Sequence, residues 1–165
     1  MDNKFVLAVY VDNKAGVLTR VSAMFTRRGF NIDTITSAGT DIPEYARITI
    51  AMSGDEYVKE QIINQLKKLY VVKKVLVLDD EPIKRELMLI KVRNKARERS
   101  DIMTAVDVFR ANVIDYSPEA MCIEVTGSPS KMDAFVKLMQ PFGILEMCRT
   151  GIVALDRGNV TLLNK

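Results

Sequence analysis

The sequence contains no histidine, and this absence removes several classes of catalytic and metal-binding site. Histidine is the usual general acid or base near neutral pH, and Ser-His-Asp and Cys-His catalytic arrangements depend on it. It is also a common ligand of zinc. The chain therefore lacks the commonest catalytic side chain, and we expect it to have neither catalytic residues nor metal ligands.

Cysteine is scarce as well, since the chain has only Cys122 and Cys148. The two do not form a Cys-x-x-Cys pair, and two thiols without histidine cannot complete the four ligands of a structural zinc ion. We expect both to be buried, reduced thiols that behave as small apolar side chains.

Long hydrophobic runs are also missing. The apolar run from Phe5 to Val11 is too short for the core of a signal peptide, and no stretch approaches the ~20 residues of a membrane-spanning helix.

The 165 residues are 48% hydrophobic, with 24 basic and 21 acidic side chains. This composition is typical of a soluble globular protein, and the net charge of +3 is too small for a nucleic-acid-binding surface. We therefore expect a cytoplasmic protein.

The first half of the chain alternates strand and helix patterns. Apolar residues recur at helical spacing from Val17 to Phe25, and Gly29 is placed to end that helix. The other predicted elements are strands at 5–11, 31–37, 45–52 and 71–78, and a helix that begins at Ser53-Gly54-Asp55. The order is βαββαβ, which is the ferredoxin-like arrangement.

The same order begins again after the acidic linker Asp79-Asp80-Glu81-Pro82. The predicted elements are strands at 86–92, 112–116, 120–126 and 144–155, the last interrupted by Gly151, a helix with an apolar stripe from Ile102 to Phe109, and a helix opened by Gly127-Ser128-Pro129. We therefore predict an α+β chain of two ferredoxin-like domains, at 1–79 and 83–165. Each is small for a self-sufficient core, so dimerisation or mutual packing is expected to supplement it.

Basic residues concentrate at the start of the second domain. The segment Arg93–Arg99 lacks an apolar period and is predicted to be an exposed, mobile loop. A solvated loop, a docking site for an acidic protein partner and a nucleic-acid contact are the three interpretations of this charge. The residues that would contact such a partner are Arg93, Lys95, Arg97 and Arg99.

The segment Asp12–Leu18 lies between a strand and the start of a helix. A helix start offers unpaired backbone N–H groups that can hold a carboxylate, and Gly16 allows a ligand to approach the backbone closely. Asn13 could cap the helix, or its amide could bind both the carboxylate and the ammonium group of a ligand. Asn31, predicted to begin the next strand, lies near the opposite end of the same helix. From the residues alone, ordinary turn chemistry is the favoured explanation of Asn13 and Gly16.

This segment resembles the ACT domain, and in particular that of the regulatory (small) subunits of acetolactate synthase. The resemblance is carried by the runs at 11–21 (VDNKAGVLTRV) and 25–32 (FTRRGFNI), and it continues at 54–56, 65–69, 86–92, 131–135 and 149–151. Essentially the whole chain is covered. Asn-x-x-Gly-x-Leu alone would be moderately specific, whereas the combination is highly specific.

The resemblance implies a homodimer that binds valine at the interface between its ACT domains. The implied effector-binding residues are Asn13, Gly16 and Asn31, with Ala15, Val17, Leu18 and Ile32 as lining. Asn31 of one chain would then approach the Asp12–Leu18 loop of the other. The equivalent loop of the second domain lacks the glycine, so effector sites are expected only in the first domain.

The resemblance further implies that the second domain couples to the catalytic (large) subunit. The chain would activate that subunit and confer feedback inhibition by valine in branched-chain amino acid biosynthesis. Thiamine diphosphate, FAD and magnesium would belong to the catalytic subunit, and no cofactor is expected in this chain.

Two other functions share parts of the pattern. A free-standing ACT-like sensor of amino acids could act on a different enzyme. An RNA-binding domain of the RRM type has the same βαββαβ order, but its aromatic platform should lie on the first and third strands. Strands 5–11 and 45–52 do not match that platform, so the sequence favours the ACT interpretation.

Overall fold

A computed structural model describes residues 3–79, 81–162 and 164. The chain divides into two compact units, one formed by Met1–Ile83 with Ile152–Lys165 and the other by Lys84–Gly151. The main segment of the first unit ends directly after the predicted linker 79–82. The second domain predicted from the sequence spans 83–165, whereas the described residues from 152 onward are grouped with the first unit.

The first unit contains a four-stranded antiparallel sheet with two helices on one face. Its elements are β1 (Asn3–Asp12), α1 (Val17–Arg28), β2 (Thr34–Gly39), β3 (Tyr45–Gly54), α2 (Glu56–Lys67) and β4 (Val72–Val77). The strand order is β2-β3-β1-β4, with β2 and β4 at the edges. The predicted βαββαβ order is therefore confirmed for this half.

Both faces of β1 are buried, which explains its nearly continuous apolar sequence. Leu7 and Val9 face the helices, where they join an inner core with Phe25 of α1 and Leu66 of α2. The alternate residues, which include Val6, belong to a separate cluster on the outer face of the sheet. Since successive side chains of a strand point to opposite faces, a strand covered on both sides has no polar alternation.

The second unit repeats the plan. Its elements are β5 (Ile83–Arg93), α3 (Arg99–Val108), β6 (Asn112–Tyr116), β7 (Ala120–Gly127), α4 (Pro129–Met139), a 3-10 turn (Gln140–Phe142) and β8 (Ile144–Arg149). The antiparallel strand order is β6-β7-β5-β8. Met88, Ile90, Ile123 and Phe135 are among the fully buried residues of its core. The second ferredoxin-like fold is thus confirmed.

The predicted strand 144–155, interrupted by Gly151, is confirmed, because both of its parts pair with β5. β8 ends at Arg149, and Gly151 takes a left-handed conformation with φ +83° before the short strand β9 (Val153–Leu155). An L residue rarely adopts that φ, so the glycine accounts for the interruption between the two strands. The segment that follows packs with the first unit.

The two thiols are free but not buried, contrary to expectation. Cys148 is exposed and Cys122 is partly buried. They pair with Leu89 and Lys91 of β5, whose side chains point away from the helices. Because side chains alternate along a strand, both thiols lie on the sheet face opposite the core.

No helix in the part of the chain that the structure describes is long and apolar enough to cross a membrane.

Candidate functional site

Gly16 forms the N-terminal cap position of α1 and has left-handed backbone angles, φ 80° and ψ −2°. No side chain caps this helix start, so the predicted capping role of Asn13 is wrong. The first turn carries no acidic residue, and Ala15, Gly16 and Leu18 are exposed. A Cβ atom built at Gly16 meets nothing within 4 Å, so the space in front of the helix start is open.

Asn13 ties the β1–α1 loop to the turn between β2 and β3. Its backbone N–H donates to the carbonyl of Glu44 at 2.8 Å, and its Nδ2 donates to the carbonyl of Pro43 at 2.9 Å. An asparagine amide has two N–H donors and one carbonyl acceptor, so this bond uses one of its groups. The side chain is exposed, and it is oriented by a neighbour rather than by the helix.

Asp12 holds the other side of the same loop. Its carboxylate forms an ion pair with Lys73 at 3.0 Å, and its backbone N–H donates to the carbonyl of Val71 at 2.9 Å. The loop is therefore fastened to the β3 side through Asn13 and to the β4 side through Asp12. These contacts hold the open helix start in one position.

Asn31 and Ile32 lie in the connection between α1 and β2, and the strand begins only at Thr34. Gly29 ends α1 in the left-handed conformation, as predicted, and donates to the carbonyls of Phe25 and Thr26. The twelve residues of α1 span about 18 Å, so Asn31 and Gly16 are at opposite ends of the helix in one chain. The fold does not bring them together within a single copy.

The lining residues fall into two groups. Val17 is only 5% exposed and packs in the inner core, and Ile32 packs against that core. Ala15, Leu18 and Asn31 are exposed. Val17 therefore does not offer its side chain to a ligand at the helix start, and its backbone N–H donates to the carbonyl of Lys14 at 3.4 Å.

The basic segment at the start of the second unit is more ordered than the sequence indicates. Asn94 is buried, and its Nδ2 donates to the carbonyl of Ser117 at 2.6 Å. Arg99 already belongs to α3; it donates to Asn94 Oδ1 at 3.0 Å and lies over the Tyr116 ring. Lys95 and Arg97 are exposed. The predicted loop Arg93–Arg99 is therefore a pinned turn, in which Arg99 is already engaged within its own unit.

A charged network in the second unit has no counterpart in the predicted sites. Glu86 is buried at 4% exposure and accepts from the Nε and Nη2 atoms of Arg149, the former at 2.8 Å. Arg149 also donates to Asp133 at 2.8 Å. Burial acts to lower the pKa of Arg149, but hydrogen bonds to Asp133 and Glu86 outweigh it, so the pKa lies above its ordinary value. Only the apolar setting of Glu86 in its strand could have signalled this pair.

Among the residues that the structure describes, no group of three or more histidine, cysteine, aspartate or glutamate side chains is placed to hold a metal ion.

Comparisons with known proteins match both halves of the chain. A family model described as the AHAS small subunit-like ACT domain matches residues 7–74, and one described as the small subunit of acetolactate synthase matches residues 85–158. The acetolactate synthase small subunit of Mycobacterium bovis is 46% identical over 153 residues, which cover 92% of this chain and 91% of that protein. The probable acetolactate synthase small subunit of Archaeoglobus fulgidus is 44% identical over 156 residues, or 94% and 98% of the two chains.

A solved structure is similar over nearly the same length. The crystal structure of the acetolactate synthase small subunit from Thermotoga maritima has a TM-score of 0.90 and 40% sequence identity, covering 96% of this chain and 99% of that one. Matched sequence, matched fold and near-complete mutual coverage lead to one conclusion. The chain belongs to the acetolactate synthase small-subunit family.

Proposed function

We propose that this chain is a regulatory subunit that has no catalytic site of its own. It activates the catalytic subunit of acetolactate synthase, which condenses pyruvate to acetolactate, and it makes that subunit subject to feedback inhibition by valine. Family membership over almost the whole chain supports this function. The observation that carries the effector role is the open, uncapped start of α1, held from both sides by Asn13 and Asp12.

The helix start has the chemistry that an amino acid effector requires. The N–H of Val17 donates to the carbonyl of Lys14, but the N–H groups that follow it in the first turn and the positive end of the helix dipole favour a carboxylate. No acidic residue in that turn competes for them, and Gly16 leaves the approach open. The remaining groups of the Asn13 amide can contact the ligand's ammonium or carboxylate group.

The two edges of the first sheet differ in a way that supports a homodimer. β2 (Thr34–Gly39) carries no charge and no proline, whereas β4 carries Lys73 and Lys74. Edge strands that remain unpaired are usually protected by lysine or proline. β2 is therefore the edge on which a second copy would add its own β2.

An antiparallel β2–β2 pair would also complete the effector site. Asn31 lies just before β2, and the turn that contacts Asn13 through Pro43 and Glu44 lies just after it. A two-fold axis places the beginning of one β2 opposite the end of the other. Asn31 of one copy thus approaches the Asn13–Gly16 loop of its partner, and valine lies between them.

The second unit is the part proposed to engage the catalytic subunit. Arg93, Lys95 and Arg97 are exposed on it and suit an acidic surface. Arg99 is the weaker candidate among the predicted contacts, because Asn94 and Tyr116 already hold it. Thiamine diphosphate, FAD and magnesium belong, in this proposal, to the catalytic subunit.

One titration tests the proposal. The activity of an acetolactate synthase catalytic subunit is measured against increasing amounts of this chain, with and without valine. We expect activity to rise to a plateau with the chain alone, and valine to reduce that plateau without affecting the isolated catalytic subunit. An absence of stimulation would contradict the proposal and favour a free-standing amino acid sensor.

A further inference from the structure

The segment Ile152–Leu162, here called the C-terminal strap, covers the outer face of the first sheet. Ala154 and Leu162 are 5% and 7% exposed, and they form one apolar cluster with sheet residues. The sheet residues of this cluster are Val6, Ala8, Tyr10, Ala51 and Leu78. The strap thus occupies an apolar surface that the helices, on the other face, leave uncovered.

Polar contacts hold the strap at two points. Arg47 of β3 donates from Nη2 to the carbonyl of Ala154 at 2.7 Å, and the backbone N–H of Asp79 donates to Asp156 Oδ1 at 2.8 Å. Asp156 is buried at 7% exposure. Burial lowers the pKa of Arg47, and the charge of Asp156 opposes that effect. A half-buried cation in the sheet therefore lies within the electrostatic influence of a buried carboxylate in the strap.

The strap is connected through side chains to the proposed effector loop. Tyr45 packs against the outer cluster, and its ring lies 4.9 Å from that of Tyr10. The two residues before Tyr45 are Pro43 and Glu44, whose carbonyls accept from Asn13. One continuous set of contacts thus runs from Asn13 through this turn and the two tyrosines to the strap.

The other end of the strap is fastened in the second unit. Thr150 donates from its backbone to the carbonyl of Leu87 at 3.0 Å, and its hydroxyl accepts from the backbone of Leu87 at 3.1 Å. Gly151, with φ +83°, is the last residue of the second unit, and the strap begins at the next residue. The chain consequently passes between the units twice, once near residue 83 and once at residue 151.

We infer that the C-terminal strap is the element that passes effector binding in the first unit to the second unit. The inference rests on the proposed valine site. A ligand that orders the turn at Pro43–Tyr45 stabilises the strap in its packed position on the sheet. The packed strap in turn raises the affinity for the ligand, because coupling between two sites is reciprocal. Seating of the strap alters the position of Thr150, which is bonded to β5.

Hydrogen exchange on the full chain tests this coupling. We expect valine to slow amide exchange in residues 152–162 of the wild-type protein by at least about fivefold, the lower end of typical allosteric coupling. The Arg47→Ala variant should bind valine several-fold more weakly, show a much smaller exchange difference, and inhibit the catalytic subunit less at saturating valine. Asp156→Ala, which removes the carboxylate that the strap contributes, should behave in the same way as Arg47→Ala.

Arg27→Ala is the matched control, because it removes an exposed arginine of α1 that lies far along the sequence from the strap contacts. It should retain the wild-type exchange difference and inhibition.

If the wild-type chain binds valine and residues 152–162 exchange equally with and without it, the coupling is overturned and the valine site stands. The coupling is equally overturned if Arg47→Ala and Asp156→Ala, folded by circular dichroism, retain wild-type inhibition. If the wild-type chain binds no valine, the effector site itself is wrong, and the coupling falls with it.

Discussion

Gly16 and Asn13 carry different parts of the proposed site. Gly16 supplies a backbone conformation, with φ 80°, and an open approach to the helix start. Asn13 supplies a polar amide whose orientation is set by the carbonyl of Pro43. The sequence placed both residues beside the helix, but the identity of the cap residue depended on backbone angles that the motif alone does not determine.

Substitutions at Gly16 test whether the carboxylate of a ligand binds at the start of α1. Gly16→Asp should reduce valine affinity at least about tenfold relative to Gly16→Asn, because two carboxylates about 4 Å apart repel by roughly 1–4 kcal/mol near a protein surface. Isothermal titration calorimetry measures both variants, and circular dichroism checks their fold. Asparagine has nearly the same shape as aspartate, and both residues adopt positive φ more readily than most others, so the comparison isolates the effect of the charge.

Equal valine affinities of the two variants would show that no carboxylate binds at this helix start. A loss of folding in both would instead reflect the strain of a side chain at positive φ, and Gly16→Ala would then measure that strain separately.

At the scale of elements, the second unit contains a charged pair in which the carboxylate of Glu86 is buried. Glu86 begins the buried part of β5, Arg149 ends β8, and Asp133 lies on α4. One guanidinium therefore connects two strands and a helix. The pair explains how an edge strand whose residues are mostly exposed is held in register.

Breaking this pair from one side should cost much stability. Arg149→Met leaves the Glu86 carboxylate buried without its partner, and we expect a loss of about 3–5 kcal/mol in the free energy of unfolding. Urea denaturation measures it. Lys91→Met is the control, because it breaks an exposed ion pair between the same strands, Lys91 with Glu146, and should change stability by less than about 1 kcal/mol.

A double variant separates the buried charge from lost packing. Glu86→Gln combined with Arg149→Met removes both charges and should recover a large part of the stability lost in Arg149→Met alone. Equal stabilities of the single and double variants would show that the ion pair does not explain the loss.

At the scale of the whole molecule, the proposed homodimer would form through β2, the edge strand of the first sheet that carries no charge. Ser37 lies in the middle of β2 and is exposed. It pairs with Ile48 of β3 along one edge of the strand, and the other edge of the strand is the edge of the sheet. A two-fold β2–β2 pair would place this residue near its own copy. A charge introduced at this position would therefore lie close to the same charge of the partner copy across the proposed interface.

Ser37→Lys should weaken the proposed homodimer at least about tenfold, because like charges directly opposed across paired strands are destabilising. Sedimentation equilibrium gives the dissociation constant, and Ser37→Ala, which changes the side chain without adding charge, should remain close to wild type. Dimerisation of Ser37→Lys with wild-type affinity would show that the copies associate through another surface. The same variant should also bind valine more weakly, since the site requires Asn31 of the partner.

The sequence by itself determined the elements and their order. Apolar periods of two and 3.6, together with Gly29 and the Gly127-Ser128-Pro129 start, are local signals, and they located the strands and helices of both units with shifts of a few residues. The ACT-like segment likewise located the candidate loop, because its residues are contiguous in the chain.

The tertiary structure decided everything that depends on contacts between distant residues. Residues 153–155 continue the predicted strand that contains β8, but only the tertiary structure shows that Ala154 and Leu162 pack on the outer face of the first sheet. The pair of Glu86 with Arg149 spans 63 positions, and the exposure of Cys148 follows from its register with Leu89. Register and the covering of a sheet face depend on which segments meet in space, and local periodicity does not encode that.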